Sequence, residues 1–374
     1  MKTIDNIESH ESPKTENASG GRRLKIVHCL FTFATGGAQV LALELLNEMS
    51  NFHDVSLIIM NNTVNPALIA QLKPGIPVHY LNRKEGNPNP WPVIRLNLLL
   101  MKIKPDIVHC HEPKMAKAIR VKYPALVHTI HDVGIEKTFY HLYDSLVAIS
   151  DAVYNDVQGD FPKTKKIYNG IPLQLFNTRE QFGLLPDEPF RLVQLSRLMH
   201  EKKGQDILIR ALHLLQSTKT GREIRLDLIG SGSSEAYLRG LVKELGLEDR
   251  VCFAGEKNRD WLYENLRYYH ALIQPSRYEG FGLTILEGFA AGLPVIASDI
   301  DGPAEIINQT PGGFLFADGD ESACANEITR LIEKYENKSI SVSMDETLGI
   351  INEKYSVQNC TKEYLSEYNR LIKA

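Results

Sequence analysis

The sequence predicts an α/β protein built from two doubly wound, parallel-sheet domains. Three observations predict it. A chain of 374 residues is too long for one ordinary core. Short, near-continuous apolar runs of strand length alternate with stretches of helical spacing, as in a parallel sheet covered on both faces. The alternation then starts afresh after the turn cluster Asn169-Gly170-Ile171-Pro172.

The first series opens at Leu24–Leu30, passes a loop at Phe33–Gly37 and enters a helix at Ala38–Met49, with Val40, Leu43 and Leu46 on its apolar face. Val55–Met60, Val78–Leu81, Ile107–Cys110, Leu126–Ile130 and Ser145–Ile149 read as further strands, and Lys166–Tyr168 as the last of this half. The second series runs through strand Phe190–Leu195, helix Gly204–Gln216, strand Ile224–Ile229, helix Ser234–Leu245 and strand Val251–Ala254. A helix around Asp260–Tyr268, strand Ala271–Gln274, a helix from Leu283 to Gly292, strand Pro294–Ala297 and strand Gly313–Phe316 follow. Helices continue to the C-terminus, the last over Val357–Ile372.

Composition narrows the class. Hydrophobic content of 43% and charged content of 24% are those of a globular protein. The longest apolar candidate, Trp91–Ile103, is broken by Pro92, Arg95, Asn97 and Lys102 and falls short of the roughly 18–20 residues of a membrane span. Residues 1–20 are polar and read as a disordered tail. The five cysteines are scattered without metal-type spacing, which suits a reducing cytoplasm. Charge is uneven: residues 21–170 carry 17 Lys and Arg against 12 Asp and Glu, residues 171–374 carry 23 against 30. The front half is the one suited to an anionic acceptor or membrane surface.

The stretch Gln274–Asp299 carries the chemistry. Glu279 and Glu287 have seven residues between them, and Gly280 and Gly282 make the first half of the interval a loop. A helix beginning at Leu283 turns its free N–H groups towards an anion, with Glu287 one turn inside and able to accept from hydroxyls. That combination suits a diphosphate joined to a polyol. Arg197, and Lys203 six residues later, can clamp the diphosphate and stabilise charge on a leaving group; Lys202 reads as surface. Gly36-Gly37 lets backbone approach a phosphate or simply makes a tight turn. Gly230-Ser231-Gly232 is a phosphate-adjacent loop or a plain turn, and Glu235 at the third glycine position argues against a dinucleotide site.

His131 follows a strand at the same sheet edge; taken alone, such a histidine is more often structural than catalytic. His109 and His111 flank Cys110, with His128 and His131 nearby, but lack a partner at ligand-like spacing, so no metal site is expected. In Glu112–Tyr123 the steps of Lys114, Lys117 and Arg120 predict a basic helical face that suits peripheral contact with anionic lipid. Trp91 and the leucines between 96 and 100 are assigned to core packing ahead of an apolar edge.

In this order and at these spacings, SRLMHEKKGQDILIRAL (196–212) and PSRYEGFGLTILEGFAAGLPVIASDIDGPAEII (275–307) resemble the retaining glycosyltransferases of family 4, which have the two-domain GT-B fold. Supporting matches are GGAQ (36–39), PDIVHCH (105–111), TIHD (129–132), NGI (169–171) and VCFAG (251–255). The resemblance implies an acceptor-side Rossmann-like domain over 21–170 and a donor-binding one over 171–356, facing across a cleft. The helix at about 357–374 would pack back on the first domain.

It also implies roles. Arg197 and Lys203 would hold the donor diphosphate and stabilise the leaving nucleoside diphosphate. Glu287 would hold the ribose, and Glu279 would stand near the donor sugar. Phe281, Gly282, Leu283 and Thr284 would present amides, Gly37 would line the cleft, and His131 would contact the donor sugar. Glu305 is assigned to structure. Asp301 stands where glycine is common, and Gln39 where many members have Glu, so substrate choice is not carried over. The expected reaction moves a sugar from a nucleoside-diphosphate sugar, UDP-linked first, to a saccharide or lipid-linked acceptor in cell-surface polysaccharide assembly, with retention and without a metal cofactor. No nucleic-acid partner is expected. A non-catalytic sugar-nucleotide-binding partner is the alternative, and an NAD-linked oxidoreductase a weaker one.

Overall fold

A computed structural model describes residues 22–122, 124–185, 188–216 and 222–373; the expected tail at 1–20 lies outside them. The first part runs β1 (Lys25–Leu30), α1 (Gly37–Met49), β2 (Asp54–Asn61), α2 (Pro66–Ile69), β3 (Val78–Arg83), α3 (Trp91–Ile103), β4 (Ile107–Cys110), β5 (Ala125–Ile130), β6 (Ser145–Ala148), α4 (Asp151–Gln158) and β7 (Lys165–Lys166). Its seven strands are parallel, in the order β3-β2-β1-β4-β5-β6-β7.

The second part runs β8 (Phe190–Leu195), α5 (His200–Lys203), α6 (Gln205–Leu215), β9 (Ile224–Ile229), α7 (Glu235–Glu244), β10 (Val251–Gly255), α8 (Arg259–Asn265), β11 (Ala271–Gln274), α9 (Leu283–Ala290), β12 (Val295–Ser298), α10 (Asp301–Ile307) and β13 (Gly313–Phe316). Three further helices complete it: α11 (Glu321–Glu336), α12 (Ile340–Tyr355) and α13 (Val357–Lys373). Its parallel strands are ordered β10-β9-β8-β11-β12-β13. These are two Rossmann-like sheets. In each, strand order reverses beside the first strand, which opens a crevice at the carboxyl edge.

The strands are buried on both faces, which is why their sequences are unbroken apolar runs. The chain leaves the first sheet and returns at one place: Ile171 N–H donates to Tyr355 O, and Val357 N–H to Ile171 O, each at 2.9 Å. Beyond that crossing α13 lies on α1, where Cys360, Tyr364 and Tyr368 join a core with Leu41, Leu45 and Val127. Each fully buried side chain of this kind contributes roughly 1.5–3 kcal/mol.

Some local expectations change. The helix expected from Gly204 is preceded by a four-residue one, because Gly204 takes φ 65° and breaks the run. Its missing Cβ also matters, since one built there would lie 1.8 Å from Pro275 O. The basic helical face expected over Glu112–Tyr123 does not form: Pro113–Ala118 is a 3-10 turn, Ile119 is extended, and Tyr123 lies outside the described residues. With three residues per turn and an early end, Lys114 and Lys117 share an element that Arg120 does not. No helix among the described residues is long and apolar enough to cross a membrane.

Candidate active site

The loop after β8 and the loop after β11 are stitched together, and this sets the geometry of the second-domain half. Arg277 makes two hydrogen bonds of 2.9 Å to the Asp206 carboxylate and donates to His200 O at 2.7 Å. Arg277 N–H also donates to Lys202 O at 2.9 Å. With α5 held against the 275–282 loop, Lys203 Nζ donates to Glu279 Oε2 at 2.5 Å, in side chains 15% and 19% exposed. Gln274 Nε2 reaches the same carboxylate oxygen at 3.4 Å. Arg197 stands at the end of β8, exposed, and its guanidinium has no hydrogen-bond or ion-pair partner among the described residues.

Gly282 takes φ 105° immediately before α9, and a Cβ there would lie 2.9 Å from Ile285 Cδ1. Only glycine turns the chain here without strain, and the turn leaves the first N–H groups of α9 without helical acceptors. Leu283 and Thr284 form that first turn. Phe281 is buried, its ring near Tyr168 and Tyr355. Its side chain thus anchors the loop while its backbone runs beside α10, where a Cβ on Gly302 would lie 2.6 Å from Phe281 N.

Glu287 is buried one turn into α9. Burial pushes its carboxyl up from the ordinary range, and the Arg259 charge opposes the shift. Arg259 in turn donates to Glu44 Oε1 at 2.6 Å, joining α8 to α1 across the domains. Both side chains of that pair are about nine-tenths buried, 10% and 8% exposed. Glu287 is legible in the sequence, but its two neighbours are not: Arg259 and Glu44 lie 215 positions apart, and a lone glutamate in a helix reads as surface.

The first domain brings two elements to the same cleft. Gly37 opens α1, and a Cβ on it would touch Leu283 at 3.6 Å, so the N-termini of α1 and α9 face one another. His131 follows β5 and lies against Gly280, where a Cβ would come 2.8 Å from His131 O. Glycine at 280 is what allows the two domains to approach this closely. Lys202, assigned to surface by the sequence, instead reaches across the cleft to Asp132 Oδ2 at 3.1 Å. Its neighbour Lys203 instead pairs within its own domain, with Glu279, a division that spacing alone does not reveal. Gly230 and Gly232 are close-approach glycines, since a Cβ on either would lie within 2.3 Å of a carbonyl oxygen of Ser196 or Leu198.

Behind His131 runs a chain of imidazoles. His131 Nε2 lies 3.1 Å from His111 Nδ1, and His111 Nε2 lies 3.0 Å from His28 Nδ1. His28 Nε2 is buried without a partner among the described residues. A stranded acceptor costs less than a stranded N–H. The chain is therefore assigned with His28 donating to His111, His111 donating to His131, and the His131 proton on Nδ1. Burial holds His28 and His131 down to about 3, and keeps His111 well below its ordinary value, so all three are neutral.

Among the described residues, His28, His109 and His111 are the nearest approach to a metal site, their ligand atoms within 4.8 Å of one another. Yet His109 uses both nitrogens on hydroxyls, Thr129 and Tyr368, each at 2.7 Å, and His111 uses both on histidines. The cluster reads as a hydrogen-bonded support for the cleft wall.

The chain matches two family models, one for glycosyltransferase family 4 over residues 35–175 and one for glycosyl transferases group 1 over residues 176–342. It is 27% identical over 303 residues to the uncharacterized glycosyltransferase MJ1607 of Methanocaldococcus jannaschii, covering 71% of this chain and 75% of that protein. The structure is similar to that of a glycosyltransferase from Rickettsia africae, with TM-score 0.78, 20% identity, and coverage of 94% and 100% of the two chains. It is also similar to Anabaena Alr3699/HepE solved with UDP and glucose, with TM-score 0.75, 22% identity and coverage of 93% and 100%.

Proposed function

This chain belongs to the glycosyltransferases of group 1 and family 4, and from that premise we propose that it moves a sugar from a UDP-sugar to a hydroxyl acceptor with retention of anomeric configuration. The acceptor class is a saccharide or lipid-linked oligosaccharide in cell-surface polysaccharide assembly. The observation that carries this reading is the convergence at one cleft of the Lys203–Glu279 pair, the first turn of α9 and buried Glu287, with His131 against Gly280 on the facing wall; Arg197 stands exposed just beyond β8.

Each group has a task in this reading. The first turn of α9 and the two cations receive the diphosphate, and Glu287 accepts from the ribose hydroxyls. As the bond from the anomeric carbon to the diphosphate oxygen lengthens, Arg197 and Lys203 meet the charge gathering on the leaving group. The acceptor hydroxyl adds to the anomeric carbon on the departing face, and its proton passes to a donor phosphate oxygen. Glu279 and His131 orient the sugar. Because side-chain cations and helix amides supply the positive charge, the reading calls on no divalent metal. The five cysteines are free thiols, in keeping with a cytoplasmic setting.

A thermal-shift panel of uridine, guanosine and adenosine diphosphates and their sugars tests the reading, because a ligand of the native state raises its melting temperature. The expected result is a shift with UDP and one UDP-sugar, followed by turnover of that sugar. Tight binding across the panel, with no turnover on any acceptor, would instead identify a non-catalytic sugar-nucleotide-binding protein.

A further inference from the structure

Helix α3 presents an unusual outer face. Trp91, Ile94, Leu98 and Met101 follow one another at steps of three and four, and are 56%, 44%, 54% and 54% exposed. These steps put them on one stripe. Arg95 and Lys102 are exposed on the same stripe, and residues 91–105 contain no acidic side chain. The opposite face does the packing: Leu96 and Leu100 are fully buried with Val27, Ile58 and Val108. The leucines assigned to the core by sequence are therefore divided between core and surface, and Trp91 is on the outside.

The neighbouring segment adds positive charge. Asn97 Nδ2 donates to Ala118 O at 2.9 Å, and Arg120 N–H donates to Asn97 Oδ1 at 2.6 Å. This ties 113–122 alongside α3 and sets exposed Lys117, Arg120 and Lys122 beside the stripe. The basic residues, which form no single helical face, thus meet the apolar ones through tertiary structure. The position is also telling. Because α3 joins parallel β3 to β4, it runs back along the sheet, and Trp91 lies at the carboxyl edge that borders the cleft.

We propose that α3 is an interfacial helix that seats the first domain on an anionic lipid surface. The apolar stripe would enter the headgroup boundary, and the flanking cations would meet lipid phosphates. A protein occupant fits less well. The stripe spans roughly 20 Å by 10 Å, well under the roughly 800 Å² that each partner buries in a stable complex. Protein interfaces also tend to exclude lysine, whereas a bilayer surface favours tryptophan with snorkelling Lys and Arg. The inference goes beyond the transfer reaction and does not depend on it, since lipid binding is measured without turnover.

The test is co-sedimentation of the full chain with vesicles of phosphatidylethanolamine and phosphatidylglycerol, against phosphatidylcholine alone. Binding is expected only to the anionic vesicles and should fall with salt. Trp91→Ser with Leu98→Ser, and separately Arg95→Gln with Lys102→Gln, should each weaken it by roughly tenfold or more at unchanged melting temperature. In a Trp261→Phe background, Trp91 emission should move to the blue on vesicle addition. Absence of binding at low salt, or binding that neither double variant weakens, would overturn the proposal. So would a wild-type dimer that Trp91→Ser dissociates and that ignores vesicles, because the face would then belong to a second copy.

Discussion

Lys203 Nζ and Glu279 Oε2 stand 2.5 Å apart at the floor of the cleft, each the other's closest charged partner. The lysine thus holds the sugar-side carboxylate in place and also faces the proposed diphosphate position. Lys203→Ala should lower turnover by about 2–4 kcal/mol in barrier, as for loss of one preorganised charge-stabilising donor. It should also lower stability by about 2–3 kcal/mol, because Glu279 keeps a largely buried charge without a counter-ion. Steady-state kinetics and thermal unfolding of the purified variant check both halves. Wild-type stability with reduced turnover would mean that the pair has no structural role.

The Glu44–Arg259 pair joins the two domains beside Glu287. Arg259→Ala is expected to destabilise by about 3–5 kcal/mol, since it leaves Glu44 buried and uncompensated. Glu44→Leu combined with Arg259→Met should recover most of the loss. The same cycle read by donor affinity should show Arg259→Ala weakening nucleotide binding, because the cation also offsets the cost of charging buried Glu287. Additive single-variant effects would rule out coupling across the cleft.

His111 touches no proposed substrate position, yet it fixes the tautomer of His131 through the 3.1 Å contact. It is a positioning residue. His111→Ala should cost about 1–3 kcal/mol in kcat, the scale of a buried hydrogen bond left half-made. The donor dissociation constant should stay near wild type. His111→Asn keeps a donor and is expected to restore part of the loss. A fall in donor affinity with kcat unchanged would contradict the assignment.

Stability should fall in acid, and the sign follows from the histidines. His28, His109, His111, His128 and His131 are all held below the ordinary value, chiefly by burial. Their contribution is fully present above the unfolded pKa of about 6.5. It is lost at up to about 1.4 kcal/mol per pH unit per histidine as pH drops towards their folded values. Glu44, Glu112, Glu287 and Glu305 act in the opposite sense. Burial raises each of them, Glu112 to about 8, so their contribution is complete at low pH and declines as pH rises. Between about pH 6.5 and 4.5 the two sets oppose each other; below that the histidine loss continues unopposed, and Asp151 and Glu367, whose carboxyls are held below the ordinary range, add to it. Melting temperature against pH should therefore steepen below about 4.5, and His28→Asn should flatten the slope.

The sheets were legible because buried parallel strands leave unbroken apolar runs, as at Val55–Met60 and Ala271–Gln274. The glycines of the 280–282 loop were legible for a related reason: backbone that must approach another chain segment or turn through positive φ leaves a local mark. Tertiary pairings leave none. Glu44 and Arg259, Lys202 and Asp132, and the imidazole chain from His131 to His28 each join distant segments through side chains that look ordinary in sequence. The steps of three over Lys114, Lys117 and Arg120 suggested one helical face, but Pro113 opens a tighter 3-10 turn that ends before Arg120. Trp91–Ile103 carried too many apolar residues for one buried face. Which of them turned outward depended on how α3 sits on β3 and β4.

Arg197 offers the most direct test of charge-stabilised sugar transfer, because its exposed guanidinium, without a partner among the described residues, can be removed without disturbing the fold. The measurement is release of nucleoside diphosphate from the donor picked out by thermal shift, in EDTA and with a saccharide acceptor, for wild type and Arg197→Ala. Metal-independent release by the wild type is expected, with a fall of about 30- to 1,000-fold in the variant at unchanged melting temperature. Release by Arg197→Ala at near the wild-type rate would contradict charge-stabilised transfer.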